Sequence, residues 1–197
     1  MNVFLLNGAE PRGYSKGFYN GEMTRVAEAF FTELGDDVEK TIIADGYDVQ
    51  EEVAKLKKAD VIIFQFPIYW FHMPGMMKTY IDDVFMTGRG EIWINDGRDQ
   101  GGPYGSGGLM QEKRYMLSTT WNAPLEAFND KSQVFAGADV DGALFPFHRM
   151  MAFMGAKPLA SFACHNIVKA GDVEKDKELF VKHLEQVFVF HMGKVSK

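Results

Sequence analysis

Three stretches of this 197-residue chain gather residue types that can hold a ligand. In "GAEPRGYSKGFYN", Gly8 to Asn20, small and polar residues precede the apolar spacing of a helix. Ser15, Lys16, Gly17, Phe18 and Tyr19 can there direct a hydroxyl and backbone N–H groups at an anion, aided by the positive end of the helix dipole. In "PIYWFHMPG", Pro67 to Gly75, the aromatic residues Tyr69, Trp70 and Phe71 crowd between two prolines that stiffen the path, a surface suited to a flat ring. In "TTWNAP", Thr119 to Pro124, the backbone N–H groups of Thr120, Trp121, Asn122 and Ala123 can face negative charge, with Pro124 fixing the exit. Each stretch also has an ordinary reading: a helix capped by Ser15 and eased by Gly17, an aromatic core or subunit contact, and a capped turn.

The elements that must position these stretches are legible from periodicity. "NVFLLNG" is a buried strand opening into a loop, and Phe18, Met23, Val26, Ala27, Phe30 and Leu34 recur at helical spacing before Gly35. The alternation continues with "VEKTII" as strand, "YDVQEEVAKLKKA" as helix and "DVIIFQFP" as strand ended by Pro67. A helix near Met76 to Phe85, the strand "KRYMLST", a helix within "GALFPFHRMMAFMG", the strand "LASFACHN" and the helix "VEKDKELFVKHLEQVFVF" complete the series. Strands alternating with helices imply an α/β doubly wound, five-stranded parallel sheet with helices on both faces, of flavodoxin-like order. In that order strands one, three and four are neighbours, so the three stretches converge at their carboxyl ends.

Composition narrows the function. Hydrophobic residues make up 46% of the chain and aromatic residues 14%, enough for one sizeable core, and residues 1–197 read as one domain. A formal net charge of -6 argues against nucleic acid or an anionic membrane as partner. No run is long enough to span a bilayer, and the lone Cys164 with no signal-like N-terminus reads as cytoplasmic. Tyr104 stands two places before Ser106, where a hydrolase elbow needs glycine, and neither a phosphate-loop motif nor a zinc-protease motif nor a cysteine pair occurs, so no metal site is expected. The glycine-rich stretch from Met86 to Glu112, about 86–112, exceeds a simple connection and reads as an insertion or functional loop. Hydride addition to a flavin leaves negative charge on the pyrimidine side of its ring, so donors from Thr120 to Ala123 would favour two-electron reduction.

Through "NGAE", "PGMMKTYIDDVF", "YGSGGL", "YMLSTTWNAPLEAF" and "DGALFPFH", the chain resembles, over nearly its whole length, the flavodoxin-like NADPH:quinone reductases of the modulator of drug activity B type. The resemblance implies a bound FAD, hydride from NADPH, two-electron reduction of quinones and a homodimer. It places phosphate contacts on Ser15, Lys16, Gly17, Phe18 and Tyr19, and flavin contacts on Pro67, Ile68, Tyr69, Trp70, Thr120, Trp121, Asn122 and Ala123, with Tyr104 added from the glycine-rich stretch. Phe18 and Tyr19 are bulkier than that pattern expects, which leaves backbone donation as their contribution. Tyr69, Tyr104, His72 and His148 are candidate proton sources, and no catalytic acid is assigned. Competing readings are a flavodoxin-like electron carrier, an azo or nitroaromatic reductase using the same flavin, and a flavin-sensing module without turnover.

Overall fold

The computed structural model describes residues 1–13 and 15–190, the last of these by its backbone alone. One parallel sheet is formed by β1 (Asn2–Asn7), β2 (Asp37–Ile42), β3 (Val61–Pro67), β4 (Arg114–Thr120), β5 (Lys157–Pro158) and β6 (Phe162–Cys164). Its order is β2-β1-β3-β4-β5, with β6 also paired to β4. The helices are α1 (Phe18–Glu33), α2 (Val49–Lys58), α3 (Gly75–Thr87), the short α4 (Val140–Ala143), α5 (Phe145–Phe153) and α6 (Val173–Leu184), followed by a π-helical turn over Glu185–Phe190. Among the described residues, no helix is long and apolar enough to cross a membrane.

Side-chain alternation divides the interior into two cores. Val3, Leu5, Val61, Ile63 and Met116 face α1 and α6, where Met23, Phe31 and Phe180 meet them. Phe4, Leu6, Ile62, Phe64 and Leu117 face the opposite helices through Leu56, Tyr80 and Phe147. Being covered on both faces, β3 is buried along its whole length, which is why its sequence is an almost unbroken apolar run. The register sets Asn7 beside Gln65, Gln65 beside Ser118 and Pro67 beside Thr120, so the central strands end level with one another.

The fifth sheet position differs from the continuous strand expected over "LASFACHN". It holds two short strands: between the pairs Tyr115↔Pro158 and Ser118↔Phe162, β4 advances three residues and its neighbour four. The extra residue makes a bulge-like break, favoured by Pro158, which has no N–H for the ladder. The strand order itself is the expected one.

The glycine-rich stretch is a folded excursion at the amino edge of the sheet. Trp93 bridges to Arg89 and Gly108, its indole donates to the Phe85 carbonyl at 2.6 Å, and the Met110 N–H bonds the Met154 carbonyl at 2.9 Å. The segment is thereby fastened to the ends of α3 and α5.

Candidate active site

At the carboxyl edge of the sheet, α1 begins behind Gly17, which caps it in the left-handed region at φ 75 with no side-chain hydrogen bond. No acidic residue lies in its first turn. The N–H groups of Phe18, Tyr19 and Asn20 have no acceptor among the described residues, leaving the positive helix end open to an anion. Ser15 is not the cap: its backbone pairs with Arg12, and Gly17 stands at the N-terminus of the helix. Lys16 is exposed, and Phe18 is 62% exposed. The Tyr19 phenol is held by Asp176 in the first turn of α6, and burial followed by that carboxylate raises its pKa well above the usual tyrosine value.

After β3, Tyr69 and His72 close a tight hairpin through N–H to carbonyl bonds of 2.8 and 3.1 Å. Trp70 (φ 50) and Phe71 (φ 68) form its corner, both in the left-handed region that side chains disfavour. Such strain costs about 1–3 kcal/mol per residue and persists where surrounding structure enforces it. Phe71 packs edge-on to Phe135 at 5.7 Å, whereas Trp70 is 92% exposed. Pro67 is buried, and the Ile68 N–H bonds the Thr120 carbonyl at 2.9 Å, so this loop leaves the sheet locked to β4.

The segment after β4 divides its backbone groups. The Trp121 N–H bonds the Cys164 carbonyl at 2.8 Å, and the carbonyls of Trp121 and Ala123 accept from Ile167 and Asn166, each at 3.1 Å. The Asn122 and Ala123 N–H groups have no acceptor among the described residues. Donation to a ligand therefore falls to Asn122 and Ala123, while the amide of Trp121 belongs to the sheet. The Trp121 ring is buried, its Nε1 donating to Thr119 Oγ1 at 2.8 Å with Phe128 and Phe135 edge-on to it.

Beneath these loops lies a polar layer. Gln65 Nε2 donates to Asn20 Oδ1 at 2.8 Å, Asn20 Nδ2 to Thr120 Oγ1 at 3.2 Å, and Asn7 Nδ2 to Thr24 Oγ1 at 3.0 Å. The layer joins the first turn of α1 to the ends of β3 and β4, so Thr120 supports the site from below. Of these residues, Gln65 was visible in sequence as a polar interruption of an apolar strand; Asn20 gave no comparable signal.

Tyr104 is not brought to this edge within one chain. It is 73% exposed, with its ring 5.7 Å from Phe153 at the far end of α5 and with Arg98 over it. His148 is also occupied elsewhere, its Nδ1 2.6 Å from the Tyr115 hydroxyl and its Nε2 3.2 Å from Asp141. An apolar groove of about 610 Å³ connects the two edges between α3 and α5, lined by His72, Met73, Phe85, Met86, Phe147 and Met150.

His165, just past β6, stacks edge-on to Phe128, and its Nδ1 has no partner among the described residues. Burial lowers its pKa, partly offset by the Ala123 backbone, and burial lowers that of His183 in the same way. A histidine held neutral contributes stability that is complete above its unfolded value, about 6.5, and is lost as pH falls below it. Denaturant unfolding at neutral and mildly acidic pH should therefore show a smaller acid loss in His165→Asn than in the parent. An equal loss would assign the effect to other groups.

An open helix end for an anion, a pair of free N–H groups for a ring that carries negative charge, and an exposed indole between them make a donor set that fits a flavin nucleotide.

A family model described as "Flavodoxin-like fold" matches residues 4–188. The NADPH:quinone oxidoreductase MdaB of Haemophilus influenzae is 41% identical over 191 residues, covering 95% of this chain and 100% of that protein. A Klebsiella pneumoniae structure provisionally named a quinone reductase superposes with a TM-score of 0.76 at 23% identity, over 96% of this chain and 85% of that one. General stress protein 14 of Treponema denticola, solved in complex with FMN, gives a TM-score of 0.67 at 19% identity, over 94% and 98%. The two structures attest the fold alone.

Proposed function

Because the chain belongs to the flavodoxin-like fold family matched over residues 4–188, we propose that it is a flavin-dependent NADPH:quinone oxidoreductase. The observation that carries this reading is its 41% identity to the Haemophilus influenzae NADPH:quinone oxidoreductase along essentially the whole of both chains. When bound, the flavin supplies two-electron hydride chemistry between nicotinamide and quinone. The protein's part is to hold, orient and shield. Ser15, Lys16, Gly17, Phe18 and Tyr19 bind the phosphates, chiefly through the open N–H groups of α1. Pro67, Ile68, Tyr69 and Trp70 flank the ring on one side, and Asn122 and Ala123 donate to it on the other, with Thr120 and Trp121 fixing the backbone beneath them. We take the flavin to be FAD on the resemblance of the sequence motifs; the Treponema denticola neighbour carries FMN, and chromatography of the extracted flavin decides between them. Residues 1–197 form one flavin-binding domain, and the lone buried Cys164 accords with a cytoplasmic protein.

A homodimer completes this reading. The apolar groove between α3 and α5 runs from the hairpin at one edge to the insertion at the other, and a twofold partner seated there would carry its own Tyr104 towards the ring-binding loops. This makes a test. Tyr104→Ala and Gly17→Val proteins, each impaired alone, should on mixing and exchange regain about a quarter of parental sites, because half of the dimers are mixed and each pairs one intact cradle with one intact Tyr104. No recovery would place Tyr104 outside the site. For the activity itself, the purified protein should be yellow, lose its visible absorbance on anaerobic addition of NADPH and regain it with a small benzoquinone. A protein that takes up no flavin would sink the assignment.

A further inference from the structure

We propose that Glu10 is a positioning residue that ties the phosphate half of the cradle to the ring half; the inference rests on the flavin reading above. Helix α3 starts behind Pro74 with no side-chain cap and no acidic residue in its first turn. Glu10, only 8% exposed, supplies the missing anion from the loop after β1. Its Oε2 accepts the Met76 N–H at 3.1 Å, and its Oε1 accepts from Arg12 Nε at 3.0 Å and from Arg12 Nη2. Its backbone carbonyl accepts the Tyr69 hydroxyl at 2.9 Å. One residue thus engages both the start of α3 and the side chain of Tyr69, which belongs to the ring loop, while its own loop leads into Ser15 to Tyr19.

The electrostatics agree with the geometry. The Met76 N–H lowers the Glu10 pKa, against the opposing effect of burial, and Arg12 lowers it further, so the carboxylate is ionised at neutral pH and complements the positive end of α3. Closer to the sheet, the same loop is held by the Gly8 N–H on the Gln65 carbonyl at 2.8 Å and the Ala9 N–H on Asn7 Oδ1 at 2.9 Å. Beyond Ala9, Glu10 is the link to the β3 side among the described residues; the backbones of Arg12 and Ser15 pair with each other, and the Arg12 guanidinium reaches back to Glu10 itself. Without the Glu10 carboxylate, the polypeptide entering α1 would keep the Arg12–Ser15 backbone pairing and the Tyr69 bond to the main-chain carbonyl, and would lose its bond to the start of α3.

The test uses the full chain, with and without FAD, as parent, Glu10→Ala and Glu10→Gln. The readouts are the rate of trypsin cleavage after Arg12 or Lys16 in the flavin-free protein, the FAD dissociation constant from fluorescence, and the melting temperature. Glu10→Ala should be cleaved in this loop about 10-fold faster and bind FAD about 10-fold or more weakly, as expected for losing charge-assisted bonds. Glu10→Gln, whose amide oxygen still accepts from Met76, should keep both within about 3-fold of the parent. Unchanged cleavage or unchanged FAD affinity in Glu10→Ala overturns the inference, as does a glutamine variant as impaired as the alanine one. If the parent takes up no FAD while Glu10→Ala still opens the loop to trypsin, the tie between the loops stands and the flavin reading falls.

Discussion

Replacing Asn20 with leucine is expected to destabilise the protein by about 3 kcal/mol, since it strands two buried polar groups at about 1–3 kcal/mol each. The side chain is 2% exposed and joins Gln65 on β3 to Thr120 on β4. Leucine keeps the branch point of asparagine but is bulkier, so no cavity opens, and the packing cost that accompanies the lost hydrogen bonds is one of overfilling. The Gln65 Oε1 already has no partner among the described residues, so the substitution would leave that whole amide without one. Against a total stability of about 5–15 kcal/mol, such a loss is readily measured by denaturant unfolding. The double variant Asn20→Leu, Gln65→Met removes both members of the pair and should recover at least half of the stability, because replacing both partners with apolar groups is far less costly than orphaning one. Flavin affinity should be weaker than the parent's in both the single and the double variant, since the first turn of α1 is no longer tied to the end of β4. A double variant as unstable as the single one would show that the loss came from packing.

The second large effect is expected at Gly108. A Cβ there would lie 2.2 Å from the Met154 carbonyl carbon and 2.3 Å from its oxygen, a collision with backbone that no rotamer change relieves. The position cannot retreat, because Gly108 bridges to Trp93 while the next two N–H groups bond Ile92 and Met154. Gly108→Ala should therefore cost about 3 kcal/mol or detach the glycine-rich excursion from α5. Denaturant unfolding followed by tryptophan emission distinguishes the two, because detachment exposes Trp93 before the main transition. Gly101→Ala is the control: its φ of +75 strains any side chain, yet nothing lies within 4 Å, so only about 1 kcal/mol is expected. Equal costs at the two positions would mean that conformational strain, and not the seam with Met154, dominates.

Much of the fold was legible beforehand for a local reason. The spacing of Phe18, Met23, Ala27 and Phe30 describes the helix found over Phe18–Glu33, and the strand read over "DVIIFQFP" differs from β3 only in its first residue, Asp60, which precedes the strand. Periodicity reports which side of an element is buried, and that depends on neighbours three, four or two residues away. The split of the fifth strand escaped this reasoning because a one-residue slip between Pro158 and Phe162 is set by pairing with β4. The site divides along the same line. That Gly17 precedes a helix was readable; that Gly17 and not Ser15 caps it depends on how the Arg12–Ser15 turn folds back.

Residue order alone carries the alternation of strands and helices, the convergence of three loops at one sheet edge, and the motifs by which the chain resembles flavin-dependent quinone reductases. It takes the packed fold to show that the Trp121 amide belongs to the sheet while those of Asn122 and Ala123 have no acceptor among the described residues, that Asn20 ties α1 to β3 and β4, that Glu10 caps a helix 66 residues away, and that Tyr104 stands at the opposite edge of its own chain. The difference lies in the range of the interactions. Burial patterns are written in short periods along the chain, whereas a hydrogen bond between distant loops is specified by packing that brings its donor and acceptor together and leaves no trace in local spacing.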